Sequence, residues 1–261
     1  MIKTLVSIDA DLASSIALRY TCRLAGLAEV DIQTIHIEDP QAIGPATGAG
    51  WARFTWEKEV IEEGKKGISQ LLVAESGFCP VLKEPLVLSG DRDREILKQL
   101  AEGGYQLFVE GMPVQLSPKA LIKKMESRFY QQAPCPVLQV KNLVPLEQAL
   151  LVVQDDRECR CLFAVFSNVF EGTRIELDLL LANFQLQRKP VIEETAAREI
   201  AKEVGLTIRN SLVWAGDSES LNREIGAYGL VLVAMERPMR GRDPLVQLLG
   251  RLSSPILLCW K

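Results

Sequence analysis

The chain of 261 residues has a single histidine, His36, and no surplus of positive charge. Thirty Lys and Arg stand against 34 Asp and Glu, for a formal net charge of −4. One imidazole excludes any mechanism that needs two histidines as metal ligands or as a base pair. The acidic balance argues against nucleic acid as a partner, because phosphate binding needs a basic face that releases counterions. No apolar run approaches the roughly 18–20 residues of a membrane helix, so no membrane partner is expected. The N-terminal run from Met1 to Ile8 meets Asp9 and Asp11 too early for a secretory signal core, and a cytoplasmic protein is expected.

Cysteine is also sparse, with six residues at 22, 79, 135, 159, 161 and 259. Cys159-Arg160-Cys161 is the close pair, and two thiols cannot complete a four-ligand zinc shell. All six are expected to be small buried hydrophobes in a reducing compartment, and no metal site is expected.

What remains is an ordinary globular composition, 48% hydrophobic and 25% charged. The length suits two small domains of about 100–150 residues. An internal repeat supports that division. Lys3 to Asp9 matches Ala149 to Asp155 at an offset of 146, and Leu86 to Asp91 matches Leu212 to Asp217 at 126. Cys135 to Val140 then matches Ser254 to Cys259 at 119. The landmarks keep their order while the offset falls, so the second copy is the same unit with deletions. Domains are expected over 1–142 and 147–261, with Lys141 to Gln148 as linker.

In the first copy the elements alternate. Residues 3–9, Ile32 to Ile37, Pro80 to Leu88, Leu107 to Gly111 and Val137 to Val140 read as strands. Helical patterns cover about 12–27 behind an Asp11 cap, Trp51 to Ser76, Asp93 to Ala101 and Pro118 to Gln131. The second copy repeats strands near 150–154, 175–181, 207–214, 230–234 and 255–259. This alternation predicts an α/β chain of two tandem doubly wound domains, each a five-stranded parallel sheet with helices on both faces. Such sheets bind ligands beyond the strand ends where the strand order reverses, after strands one and four.

The residues at those positions resemble a known family. Leu5-Val6-Ser7-Ile8-Asp9, the helix carrying Arg19 to Ala25, and Gln33-Thr34-Ile35-His36-Ile37 are similar to the opening of a universal stress protein domain. Gly90-Asp91, Leu107 to Gly111 and Ala133 to Leu138 fit the rest of that pattern, and the whole chain resembles a tandem universal stress protein. The resemblance implies a stress-response role. In nucleotide-binding members it implies ATP held by Gly-x2-Gly-x9-Gly-Ser/Thr after strand four, where glycines let backbone amides approach phosphates. Here Gly111 stands first, but Val114 and Lys124-Met125 fall on the later positions. A two-residue slip brings Glu126-Ser127 there instead. The loop of the second copy, Met235 to Pro244, is too short for the motif. The phosphate cradle is therefore read as lost in both halves.

Asp9 and Asp155 match the family aspartate that faces the nucleotide; as residues they fit equally a helix cap or a strand end. Asp9, Ile37, Gly111 and Ser127 are the candidate nucleotide-cleft residues, and His36 ends the second strand beside them. Gly44 to Gly50 lacks the Gly-Lys-Ser/Thr ending of a phosphate loop and reads as a crossover loop. Arg237, Arg240 and Arg242 crowd the second copy's loop as anion candidates, with solvated loop charges as the plain alternative. No nucleophile–base spacing is visible, so no catalytic residue is expected. The leading expectation is a non-catalytic binding or interaction module without standard ATP binding and with no cofactor, acting on an unidentified protein partner. The alternatives are an adenine-nucleotide sensor taking ATP or AMP in the first cleft, and an adenine-nucleotide hydrolase. Any small molecule is expected in the first copy. The last strands of the two copies are expected to pair, giving an intrachain pseudo-dimer, with a homodimer also compatible.

Overall fold

The computed structural model describes residues 1–39, 82–113, 116–182, 192–214, 225–237 and 244–261, together with 51–79. Gly44 to Gly50, Val114, Gly216-Asp217, Arg240 and Arg242 lie outside the described residues.

The first half contributes β1 (Ile2–Ser7), α1 (Leu12–Ala25), β2 (Val30–Glu38), α2 (Trp51–Glu75), β3 (Leu86–Ser89), α3 (Arg92–Gly103), β4 (Leu107–Gly111), α4 (Pro118–Met125), α5 (Arg128–Gln132) and β5 (Val137–Val140). The second contributes β6 (Gln148–Val153), α6 (Asp156–Phe170), β7 (Glu176–Ala182), α7 (Glu194–Glu203), β8 (Ile208–Trp214), β9 (Leu230–Met235), α8 (Pro244–Arg251) and β10 (Ile256–Trp260). The strands join in one ten-stranded sheet of order β3-β2-β1-β4-β5-β10-β9-β6-β7-β8. The expected pairing of the last strands of the two copies is what joins the halves into one sheet. Each half is parallel internally, and β5 meets β10 antiparallel, with Leu138 opposite Leu257. Val137, Leu138, Leu257 and Leu258 are fully or almost fully buried, so the join closes both sheet edges with apolar side chains.

The near-continuous apolar strands Leu107–Gly111 and Leu230–Met235 are what a sheet covered on both faces requires. One core layer sets Val6, Val109 and Leu151 against α1, α2, α6 and α7 through residues such as Leu18, Ile68, Phe163 and Ala197. The other sets Leu5, Phe108 and Val233 against α3, α4, α5 and α8 through Ile96, Leu121, Phe129 and Leu249. The halves also lock through Tyr20 on α1, whose hydroxyl donates to the Gly229 carbonyl at 2.9 Å.

Three expectations are corrected, and the linker segment is placed. The single helix over Pro118 to Gln131 is two helices, broken at Glu126-Ser127, because Ser127 adopts an extended N-cap backbone before α5. The third strand begins at Leu86 rather than at Pro80. The expected linker segment begins inside the fold: Lys141 is fully buried, and its Nζ donates to the Leu249 and Leu252 carbonyls at the end of α8. Burial lowers its pKa to about 8, and the orphan carbonyls of the helix end are its compensation. Finally, Cys22 and Cys79 are not free thiols but a disulfide, with Cα atoms 5.5 Å apart. Cys135, Cys159, Cys161 and Cys259 are free, and burial raises the pKa of each thiol.

Candidate functional site

The strand order reverses between β1 and β4, and a cleft of about 260 Å³ opens there. Its walls are Ser7 and Asp9 after β1, Asp11 and Ser14 at the start of α1, Glu110 and Gly111 on β4, Arg92 and Lys124. Asp9 and Gly111 are thus brought together. Ile37 and Ser127 are not: Ile37 is half-buried against the core and paired with Leu88 in the sheet, and Ser127 stands at the N-cap of α5 outside the cleft.

Asp11 accepts the Ser14 amide at 2.8 Å as the N-cap of α1, and the Ser14 hydroxyl accepts the Asp9 amide. In the second copy Asp155 accepts the Glu158 amide, and the Glu158 carboxylate accepts the Gln154 amide. Asp155 therefore stands at the N-cap, as Asp11 does and Asp9 does not, while the return bond comes from the amide two residues before the cap in the first copy and one before it in the second. The first copy has two extra residues between strand and cap, and Asp9 stands in that insertion.

Freed from capping, Asp9 turns to His36. The ring Nδ1 lies 2.8 Å from the Ile8 carbonyl and 3.0 Å from Asp9 Oδ1, while Nε2 lies 3.0 Å from Glu38 Oε1. All three neighbours are acceptors, so both ring nitrogens must donate and the ring is an imidazolium. Burial opposes that charge, but the bonds to Asp9, Glu38 and Ile8 outweigh it and raise the pKa to about 9. The bond to His36 likewise holds the Asp9 carboxyl below its ordinary value. The folded value exceeds the ordinary 6.5, so His36 stabilises fully below that pH and the contribution is lost as pH rises through about 9. As the sole histidine, His36 should give one NMR titration curve with a midpoint near 9, falling toward 6.5 in Asp9→Asn. A wild-type midpoint at 6.5 contradicts the assignment.

Glu110 is the residue sequence reasoning missed. Its carboxylate is 2% exposed, and Oε2 accepts from Lys124 at 2.9 Å and Arg92 at 3.2 Å. Oε1 takes the Tyr130 hydroxyl, which accepts in turn from Gln139 Nε2 at 2.5 Å. Arg92 also donates to Ser7. Burial pushes the Glu110 pKa up, but Lys124, Arg92 and Tyr130 more than reverse it and hold the carboxyl ionised. The signal was present: Glu110 is a lone charge in the apolar strand Leu-Phe-Val-Glu-Gly. Its partners lie 14 to 20 residues away on other elements and show no spacing.

Gly111 is needed for packing. A methyl group there would run into the Ala13 carbonyl and stand 2.8 Å from the Ser14 amide nitrogen. The missing side chain lets α1 sit against β4. At about 260 Å³ the cleft is also below the roughly 300–1,000 Å³ of sites that enclose drug-sized ligands. Among the described residues Gly111 is the one glycine that lines the cleft.

In the second copy the buried Glu158 pairs with Lys261 at 2.5 Å. Arg237, offered as an anion site, lies with its guanidinium 4.0 Å from the Trp260 ring centroid and donates to the Ala133 carbonyl at 2.7 Å. Its side chain thereby joins the two halves. Among the described residues no group of three or more His, Cys, Asp or Glu side chains is placed to hold a metal ion, and no helix is long and apolar enough to cross a membrane.

No protein-family model matches the chain, and no curated protein matches it. Solved structures do. A universal stress protein from Archaeoglobus fulgidus aligns with a TM-score of 0.65 at 16% identity, over 99% of this chain and 96% of that one. A protein of unknown function from Pseudomonas aeruginosa PAO1 aligns at 0.58 and 19%, over 99% and 92%. A putative universal stress protein from another Pseudomonas aeruginosa strain aligns at 0.54 and 17%, over the same shares. Full-length coverage at these scores shows the tandem universal stress protein fold.

Proposed function

We propose that this chain, folded as tandem universal stress proteins are, is a stress-response protein of that type acting as a non-catalytic binding or interaction module without standard ATP binding. The observation that carries the reading is the first cleft. Its floor is filled by the Glu110–Arg92–Lys124–Tyr130 cluster, and its glycine is spent on the α1 contact. The second copy completes the sheet as the other half of an intrachain pseudo-dimer, through β5 and β10. A cytoplasmic place of action belongs to the proposal; the Cys22–Cys79 bond bears on it, because disulfides are rare in reducing compartments.

A second reading, adenine-nucleotide sensing, is favoured by one observation: the cleft lies at the switch point between Asp9 and Gly111. Mass spectrometry of the denatured, freshly purified protein separates the two. The expected result is no co-purified nucleotide. ATP or AMP at a stoichiometric level would favour the sensor.

A further inference from the structure

Three residues on one stripe of α1 reach the same place, the C-terminal end of α2. The Ser15 hydroxyl donates to Glu75 at 2.6 Å, and Arg19 donates to both oxygens of the same carboxylate. Cys22 is disulfide-bonded to Cys79 just beyond the helix. Positions 15, 19 and 22 repeat at helical spacing, so α1 grips α2 along a single line. Elsewhere on α2 Val60 and Ile68 are buried and Leu71 and Leu72 pack half-buried against the core, whereas Val73 is 74% exposed. Glu75 is buried at 3%, so the C-terminal end of α2 is gripped by one ion pair and one covalent bond.

The same helix roofs the strand beside the cleft. Gly64 packs so closely on Glu38 that a Cβ would collide with its carboxylate. Glu38 holds His36, and His36 holds Asp9. A change in the seating of α2 therefore reaches Asp9 through two hydrogen-bonded neighbours.

We propose that the Cys22–Cys79 disulfide is a redox latch on this crossover helix. Oxidised, it pins the end of α2 to α1; reduced by a dithiol, it lets α2 lift from Glu38. Cys22 is the partly exposed residue of the pair, whereas Cys79 is 2% exposed. A thiolate of the dithiol attacks Cys22 Sγ, and the disulfide electron pair leaves on Cys79. The second thiolate of the dithiol then breaks the mixed disulfide, closing its own ring and releasing Cys22. Both cysteine thiolates take protons from water, and two electrons have passed from dithiol to protein. The latch goes beyond the proposed function and does not depend on what the cleft binds.

Thiol titration in denaturant, on protein isolated without reductant, should count the four free cysteines, and all six after dithiothreitol. Hydrogen exchange of full-length protein should then show α2 peptides over 58–79 exchanging at least about tenfold faster after reduction, with β4 and β9 unchanged. Reoxidation should restore the protection, and the double variant Cys22→Ser/Cys79→Ser should behave as reduced protein. If that variant does not fold, the reduction and reoxidation of the wild type carry the test. Six thiols before reduction would overturn the proposal. So would exchange in α2 that ignores reduction, or protection lost evenly across the chain.

Discussion

Replacing Glu110 by Ala should lower stability by about 3–5 kcal/mol, the usual cost of removing one partner from a buried ion cluster. The substitution strands the Tyr130 hydroxyl at full burial and leaves Arg92 and Lys124 without their shared anion. Those cations are 38% and 31% exposed and can turn to water, so Lys124→Met should cost much less, below about 1.5 kcal/mol. Urea unfolding of the two variants checks the ordering. Equal, small losses would mean that Glu110 is not the hub of the cleft. Its pH signature is opposite in sense to that of His36. The Glu110 pKa is lowered in the folded chain, so its contribution is present at neutral pH and lost as pH falls through that lowered value.

Gly111→Ala is expected to cost about 3 kcal/mol, at the upper end of overpacking, because the added methyl meets backbone of Ala13 and Ser14 rather than a flexible side chain. The control is Gly67→Ala in α2. Nothing lies within 4 Å of that Cβ, and alanine should stabilise the helix by about 0.5–1 kcal/mol. Denaturation midpoints moving in opposite directions would support Gly111 as a packing glycine. A neutral Gly111→Ala would reopen the cradle reading.

These expectations show where sequence reasoning reached and where it stopped. Alternating apolar strands and helical stripes are local signals, so β4 was legible over Leu107–Gly111 and α2 within a residue of its end. The joining of β5 to β10 followed from the rule that apolar edges need covering. The break between α4 and α5 escaped, because Ser127 lies inside a continuous helical pattern and bends there to aim Phe129 and Tyr130 inward. Asp155 was paired with Asp9 because the strands align at 146, while the loop after them differs by two residues; a hydrogen bond, not an offset, identifies the cap. Cys22 and Cys79 are 57 residues apart, and nothing local joins them. Arg92, Lys124 and Tyr130 come from three helices, and only the crossover at the switch point gathers them on Glu110.

Isothermal titration of the full chain with ATP tests the central claim most directly, that the first cleft is occupied by the protein's own charges and offers no phosphate bed. The account predicts no saturable heat up to about 1 mM nucleotide, which corresponds to a binding free energy weaker than about −4 kcal/mol. A one-site isotherm in the micromolar range, abolished by Asp9→Ala, would contradict it.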